Sequence, residues 1–257
     1  MRKIVFAVVA AAVLGLVAGD ASAGMKKVRI GTEGAYPPFN SIDKTGKLIG
    51  FDIDIANALC AAAKFDCAFV VQDWDGMIPG LLAKKYDAII ASMSITEERK
   101  KKVDFTHKYY NTPAKFVARK GSNFTITPEG LKGKSVAVQR ATTHENFLRD
   151  NFPGMDIRVY ATQDEANADL VAGRVDLGHA DSVALLDGFI NTDAGKDFEF
   201  VGPDFNVPKW HGEGAGIAIR KGSDLRAAFN KAIDQILADG TYKKINAKYF
   251  DFDVYGK

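Results

Sequence analysis

A chain of 257 residues that is 47% hydrophobic and 26% charged, with 24 glycines and only 8 prolines, has the composition of a folded globular protein. Disorder, collagen and coiled coil are excluded. Its 34 basic and 32 acidic side chains leave a net charge of +2, and no block gathers the basic charge that a nucleic-acid binder needs.

The N-terminus reads as an address. Arg2 and Lys3 precede an apolar run from Ile4 to Val17, and Ala21-Ser22-Ala23 offers the small-x-small site at which signal peptidase cuts. Residues 1–23 are expected to be a signal peptide, cleaved before Gly24. An uncleaved anchor would need about 20 apolar residues, a length this run does not reach before Asp20 interrupts it. With no Cys near the cut, lipid attachment is not expected and the mature protein should not insert into a membrane. In an exported chain the isolated pair Cys60 and Cys67 reads as a disulfide, against the alternative of two buried free thiols. Two Cys and four scattered His show none of the close ligand spacings of zinc sites, so no metal is expected.

From Lys27 onward short β-rich runs alternate with amphipathic segments, the pattern of parallel sheets covered by helices. Val28 to Thr32 predicts a strand, Asp52 to Ala63 a helix, Ala68 to Val71 a strand, Gly76 to Lys84 a helix and Asp87 to Ala91 a strand. A second series begins after Tyr109-Tyr110-Asn111-Thr112-Pro113. It predicts strands at Lys134 to Val138, Ile157 to Tyr160, Asp176 to His179 and Phe198 to Val201, with helices at Thr143 to Asn151, Asp164 to Ala172 and Ser182 to Ile190. After an irregular stretch from Gly202 to Gly216 come a strand at Ile217 to Arg220 and helices at Asp224 to Ala238 and Tyr242 to Tyr249. No sequence repeat is detectable, yet the same grammar occurs twice. The predicted fold is therefore α/β with two lobes and a ligand cleft between them.

Catalytic motifs are absent from the sequence: it has no G-x-S-x-G, no H-E-x-x-H, no Walker loop and no G-x-G-x-x-G after the first strand, and no cofactor is expected. Three loops do carry chemistry. Ser92-Met93-Ser94-Ile95-Thr96-Glu97-Glu98-Arg99 offers alternating hydroxyls and a guanidinium suited to a carboxylate, although capping of a solvated helix start explains the same residues. Glu33-Gly34-Ala35-Tyr36 and Asp73-Trp74-Asp75 follow the first two strands and should converge with it at the carboxyl edge of the sheet. There Tyr36 and Trp74 could clamp a cation that Glu33 neutralises.

These loops, with Gly50-Phe51-Asp52-Ile53-Asp54-Ile55-Ala56 and Ala238-Asp239-Gly240-Thr241-Tyr242, resemble the periplasmic polar amino-acid-binding proteins of ABC importers, solute-binding protein family 3. The lysine/arginine/ornithine- and histidine-binding branch is the most similar, down to the Cys60 and Cys67 spacing. The resemblance implies the type II periplasmic-binding-protein fold: lobe 1 from residues 24–112 and 207–257, lobe 2 from 113–206, joined by two crossing strands. It implies a monomer, free in the periplasm of a Gram-negative bacterium, that hands a small-molecule amino acid to membrane permease subunits.

Carried over position by position, Arg99 would pair with the ligand α-carboxylate, assisted by Ser94 and Thr143, and Ser92 and Asp181 would take the α-ammonium. Glu33, Tyr36 and Trp74 would line the side-chain pocket, with Gln139 and His144 beside it and Met93 counted with the binding loop. Glu33, Trp74, Gln139, Ala91 and His144 depart from the residues common in the family. A basic amino acid, arginine first, is the expected ligand. An opine receptor is an alternative, with Gln139, Arg140 and His144 serving an extra carboxylate, and a cyclohexadienyl-dehydratase-like enzyme using Glu33 as its acid is a remoter one. His107, His179 and His211 are read as surface or core residues.

Overall fold

The computed structural model describes residues 25–256, so the signal peptide expected at residues 1–23 lies outside the described residues. Among the described residues no helix is long and apolar enough to cross a membrane.

Two five-stranded sheets carry the chain. The first runs in the order Phe65–Val71, Lys26–Thr32, Ala88–Ile89, Ala215–Ile219, Asp104–Tyr110. The second runs Asp156–Tyr160, Ser135–Gln139, Leu177–Asp181, Ala114–Arg119, Phe198–Phe205. Each has three parallel strands at one side and antiparallel pairing at the other. In both, the fourth strand comes from the far side of a crossing: Ala215–Ile219 follows the whole second sheet in sequence, and Ala114–Arg119 precedes that sheet's parallel strands. The chain therefore passes between the sheets at 111–113 and again at 206–214. A small antiparallel sheet of Ala35–Tyr36, Asn40–Ile42 and Leu48–Ile49 extends from the first.

Helix Phe51–Ala63 shows how sequence sets local structure. Gly50 before it has φ 126°, and a Cβ there would lie 2.3 Å from the Phe39 carbonyl oxygen, so only glycine fits. Ile55 and Leu59, one turn apart, are wholly buried in the core shared with Phe229 and Ile233 of helix Leu225–Ala238. Lys64 stops the helix in the left-handed conformation at φ 56°, and its N–H bonds back to the last turn. Cys60 is joined to Cys67 as a disulfide, so this helix end is stapled to strand Phe65–Val71. Closing so short a loop stabilises the fold by about 2 to 3 kcal/mol on the chain-entropy account.

Several predicted elements differ in detail. Asp104–Tyr110 and Ala114–Arg119 are strands that periodicity did not reveal. Only Ala88–Ile89 of the expected strand from Asp87 to Ala91 is paired as one. Ser182–Leu185 is α-helical and continues as a π-turn over Leu186–Ile190. The stretch expected to be irregular holds the helical turn Pro208–His211, whose proline occupies the first position, where its missing N–H is not needed.

Packing against the first sheet generates a stability prediction. Gly31 lies under the ring of fully buried Tyr86, and a Cβ at Gly31 would fall 2.7 Å from two ring atoms. Tyr86 cannot step aside, because its hydroxyl donates to the Met77 carbonyl at 2.5 Å. Gly31→Ala should destabilise the protein by about 1 to 3 kcal/mol. Denaturant unfolding checks this, and unchanged stability would contradict the packing described.

Candidate functional site

A cleft lies between the two sheets, at the carboxyl ends of their parallel strands. Glu33, Tyr36, Trp74, Ser92, Ser94, Arg99, Gln139, Thr143, His144 and Asp181 all line it. Met93 does not. Ser92 and Ser94 face the cleft while Met93 between them packs into the core with Met77, Ile89 and Phe105.

Arg99 supplies the positive pole. It sits in the short helix Glu97–Lys100, whose N-cap Thr96 accepts the Arg99 backbone N–H at 3.3 Å. The guanidinium donates to the Ser94 carbonyl at 3.0 Å and lies 5.2 Å from the Trp74 ring centre. Among the described residues no carboxylate forms an ion pair with it. Withdrawal from water lowers its pKa to about 10, only partly offset by Glu98. A cation so placed is costly until an anion arrives. Beside it begins helix Thr143–Asn151, capped by Thr142, whose first amides have no acceptor within the helix.

The negative pole lies across the cleft. Asp181 caps the helix it precedes, accepting the Val183 N–H at 2.8 Å and the Ala184 N–H at 3.1 Å, and it also accepts the Thr112 hydroxyl. Burial raises its pKa to about 6 against those bonds. Ser92 completes this pole through a residue that motif reasoning did not assign to the site. Its hydroxyl donates to Asp52 at 2.9 Å, and the same carboxylate accepts from Tyr109 at 2.8 Å and Asn40 at 2.8 Å. With its proton committed to Asp52, Ser92 Oγ can only accept from the cleft, which suits an ammonium. The backbone of Ser92 is held in the left-handed conformation at φ 55°, where its N–H donates to the Tyr109 hydroxyl at 3.0 Å.

At the third corner Glu33 is 6% exposed and accepts Gln139 Nε2 at 2.6 Å. Burial raises its pKa to about 7, with Asp73, Asp164 and Asp75 adding to the rise and Gln139 opposing it. Tyr36 Oη accepts the Asp181 N–H at 3.4 Å. Trp74 Nε1 donates to the Ala141 carbonyl at 3.1 Å. One face of Trp74 is covered by Arg99, so an aromatic sandwich closed by Tyr36 has only the other face available. Arg140, expected to be free for an extra carboxylate, instead pairs with Asp75 at 2.8 Å and does not line the cleft. Of the histidines, His107 is exposed and His179 buried as expected, but His211 is not only a core residue. His211 lines the cleft, and His144, His179 and His211, scattered in sequence, converge.

Residues 28–252 match the bacterial extracellular solute-binding proteins, family 3. The chain is 50% identical over 259 residues to the L-arginine-binding protein of Pseudomonas aeruginosa, covering 100% of this chain and 99% of that one. It is 42% identical to the lysine/arginine/ornithine-binding periplasmic protein of Escherichia coli, with both chains covered to 100%. In structure it is similar to a Salmonella typhimurium periplasmic binding protein described for its high arginine specificity, with a TM-score of 0.81 and 34% identity over 88% of this chain and 99% of that one. A site with a cationic and an anionic pole, in a two-lobed α/β frame matched over nearly its whole described length, places the chain in family 3 of the bacterial extracellular solute-binding proteins.

Proposed function

We propose that this protein is a periplasmic receptor that binds a basic L-amino acid, arginine in first place, and delivers it to the permease of an ABC importer. The observation that carries the reading is the separation of charge in the cleft: Arg99 without a carboxylate, Asp181 and Ser92 Oγ opposite it, and Glu33 at a third corner. An α-amino acid presents one anion and one cation about a single carbon, and a basic side chain adds a second cation for Glu33. Relatives named for arginine and for lysine, arginine and ornithine support the ligand class. The protein acts as a monomer, exported by cleavage of residues 1–23, with lobes of residues 24–112 plus 207–257 and 113–206. Arg99 and Asp181 come from different lobes, so binding favours the closed form that the permease recognises. The opine alternative loses support because Arg140 is paired with Asp75 and does not line the cleft. As members of a solute-binding family, the relatives point to a receptor and not to an enzyme.

Removing the positive pole should be decisive. Arg99→Ala is expected to weaken arginine binding by about 3 to 5 kcal/mol, at least a hundredfold, while the ligand-free fold persists. Titration calorimetry measures this, and near-normal binding by the folded variant would end the assignment.

Glu33 sets a pH dependence whose sign is fixed. Its folded pKa, about 7, lies above its ordinary 4.5, so without ligand the carboxyl is about half protonated at neutral pH. A bound guanidinium favours the carboxylate and expels that proton. Arginine affinity should therefore rise about tenfold from pH 6 to pH 8, and Glu33→Gln should flatten this rise. The same substitution should weaken arginine more than it weakens glutamine. A flat wild-type profile, or equal losses for both ligands, would remove Glu33 from the side-chain pocket.

A further inference from the structure

Three of the four histidines meet beside the carboxylate pole. A nitrogen of each of His144, His179 and His211 lies within 4.8 Å of the others. His179 is fully buried, its ring 4.3 Å from that of Phe116, whereas His144 and His211 line the cleft. Burial holds all three below the ordinary imidazole value, His179 at about 3 and His211 at about 4, so the rings are neutral. A neutral imidazole carries a single proton, on one nitrogen or the other.

The backbone decides which nitrogen that is on His211. Its Nδ1 accepts the Val207 N–H at 3.0 Å, so the proton resides on Nε2 and makes that atom a donor. His211 Nε2 is buried and has no acceptor among the described residues. On His144 the buried atom without a partner is Nδ1. The two rings lie 6.1 Å apart with their planes inclined at 44°. The donor His211 Nε2 and the unpartnered His144 Nδ1 thus belong to neighbouring rings, and His179, both of whose nitrogens are also buried without a partner among the described residues, adjoins them but does not line the cleft. Each omission is costly alone, and one hydrogen bond between His211 and His144 resolves two of them.

We propose that His211 is a positioning residue for the ligand carboxylate: its Nε2–H donates to His144 Nδ1, which fixes the His144 proton on Nε2 and directs that N–H into the cleft beside Arg99. The relay runs from the Val207 N–H through His211 and His144 to a ligand oxygen. It rests on the amino-acid reading of the cleft. His144 stands in the first turn of helix Thr143–Asn151, and the charge of Arg99 acts on its ring, so both belong to the same pole. The nitrogens must still approach to about 2.9 Å, a movement that the proposal assigns to the His144 side chain on ligand binding. A metal ion fits this cluster less well. Each ligating nitrogen must offer a lone pair, and the lone pair of His211 is already taken by Val207.

Imidazole nitrogen NMR on the full mature protein, with and without arginine, tests the tautomers directly. With arginine bound, both His211 and His144 should carry their proton on Nε2. His211→Phe, which keeps a ring but removes the donor, should weaken arginine roughly fivefold to tenfold in wild-type background and have no further effect in His144→Phe. His211→Gln, which retains an acceptor and a donor, should recover part of the loss. A His144 proton on Nδ1, additive losses in the double variant, or stoichiometric zinc binding that perturbs all three rings would overturn the proposal. If His211→Phe fails to fold, the wild-type tautomers alone decide. Wild-type protein that ignores arginine altogether would instead refute the amino-acid reading.

Discussion

The cleft is organised around a guanidinium partly withdrawn from water, with no carboxylate paired to it among the described residues. Arg99 has a carbonyl partner in Ser94 and an aromatic face in Trp74, which hold it in place but do not neutralise it. A folded chain tolerates that cost when the missing anion is the ligand. The opposite pole follows the same logic with the sign reversed. Asp181 and Asp52 are carboxylates kept in place by backbone amides and by the hydroxyls of Thr112, Ser92 and Tyr109, none of which carries a charge. The fold thus stores separated charge, which the proposed zwitterionic ligand would compensate.

Bringing Asp181 opposite Arg99 takes both sheets, and the crossed topology supplies them. Arg99 lies next to the first sheet and Asp181 ends a strand of the second. The halves meet through Arg140 and Asp75, Trp74 and Ala141, and Gln139 and Glu33. They also touch where Gly188 faces Pro37: a Cβ there would lie 2.6 Å from the Pro37 carbonyl oxygen, so a residue without a side chain permits the approach. The Gln139 bond to Glu33 stands where a ligand cation would be held, so a basic ligand has to displace an amide from the acid. Because the partner it displaces is neutral, the exchange favours the cation electrostatically.

Much of this was legible in the sequence. Parallel strands and amphipathic helices announce themselves through local periodicity, and loops at the ends of parallel strands converge by rule, so Glu33, Trp74 and Arg99 could be placed together. What escaped depends on pairing across long separations. Strands Asp104–Tyr110 and Ala114–Arg119 take their partners from Ala215–Ile219, Leu177–Asp181 and Phe198–Phe205, none of which their own sequence specifies. Met93 was grouped with its neighbours by adjacency, although its side chain packs into the core. Asp52 appeared as part of a motif, but its role emerges only when Ser92 is seen to donate to it. His144, His179 and His211 come from three separate elements, and spacing in the chain carries no sign of their meeting.

The most direct measurement is a crystal structure of the mature protein with L-arginine. The charge distribution requires the α-carboxylate on Arg99, the α-ammonium between Asp181 and Ser92 Oγ, and the guanidinium at Glu33 with Gln139 displaced. An arginine bound the other way round, with its guanidinium on Asp181, or with its carboxylate away from Arg99, would contradict the account.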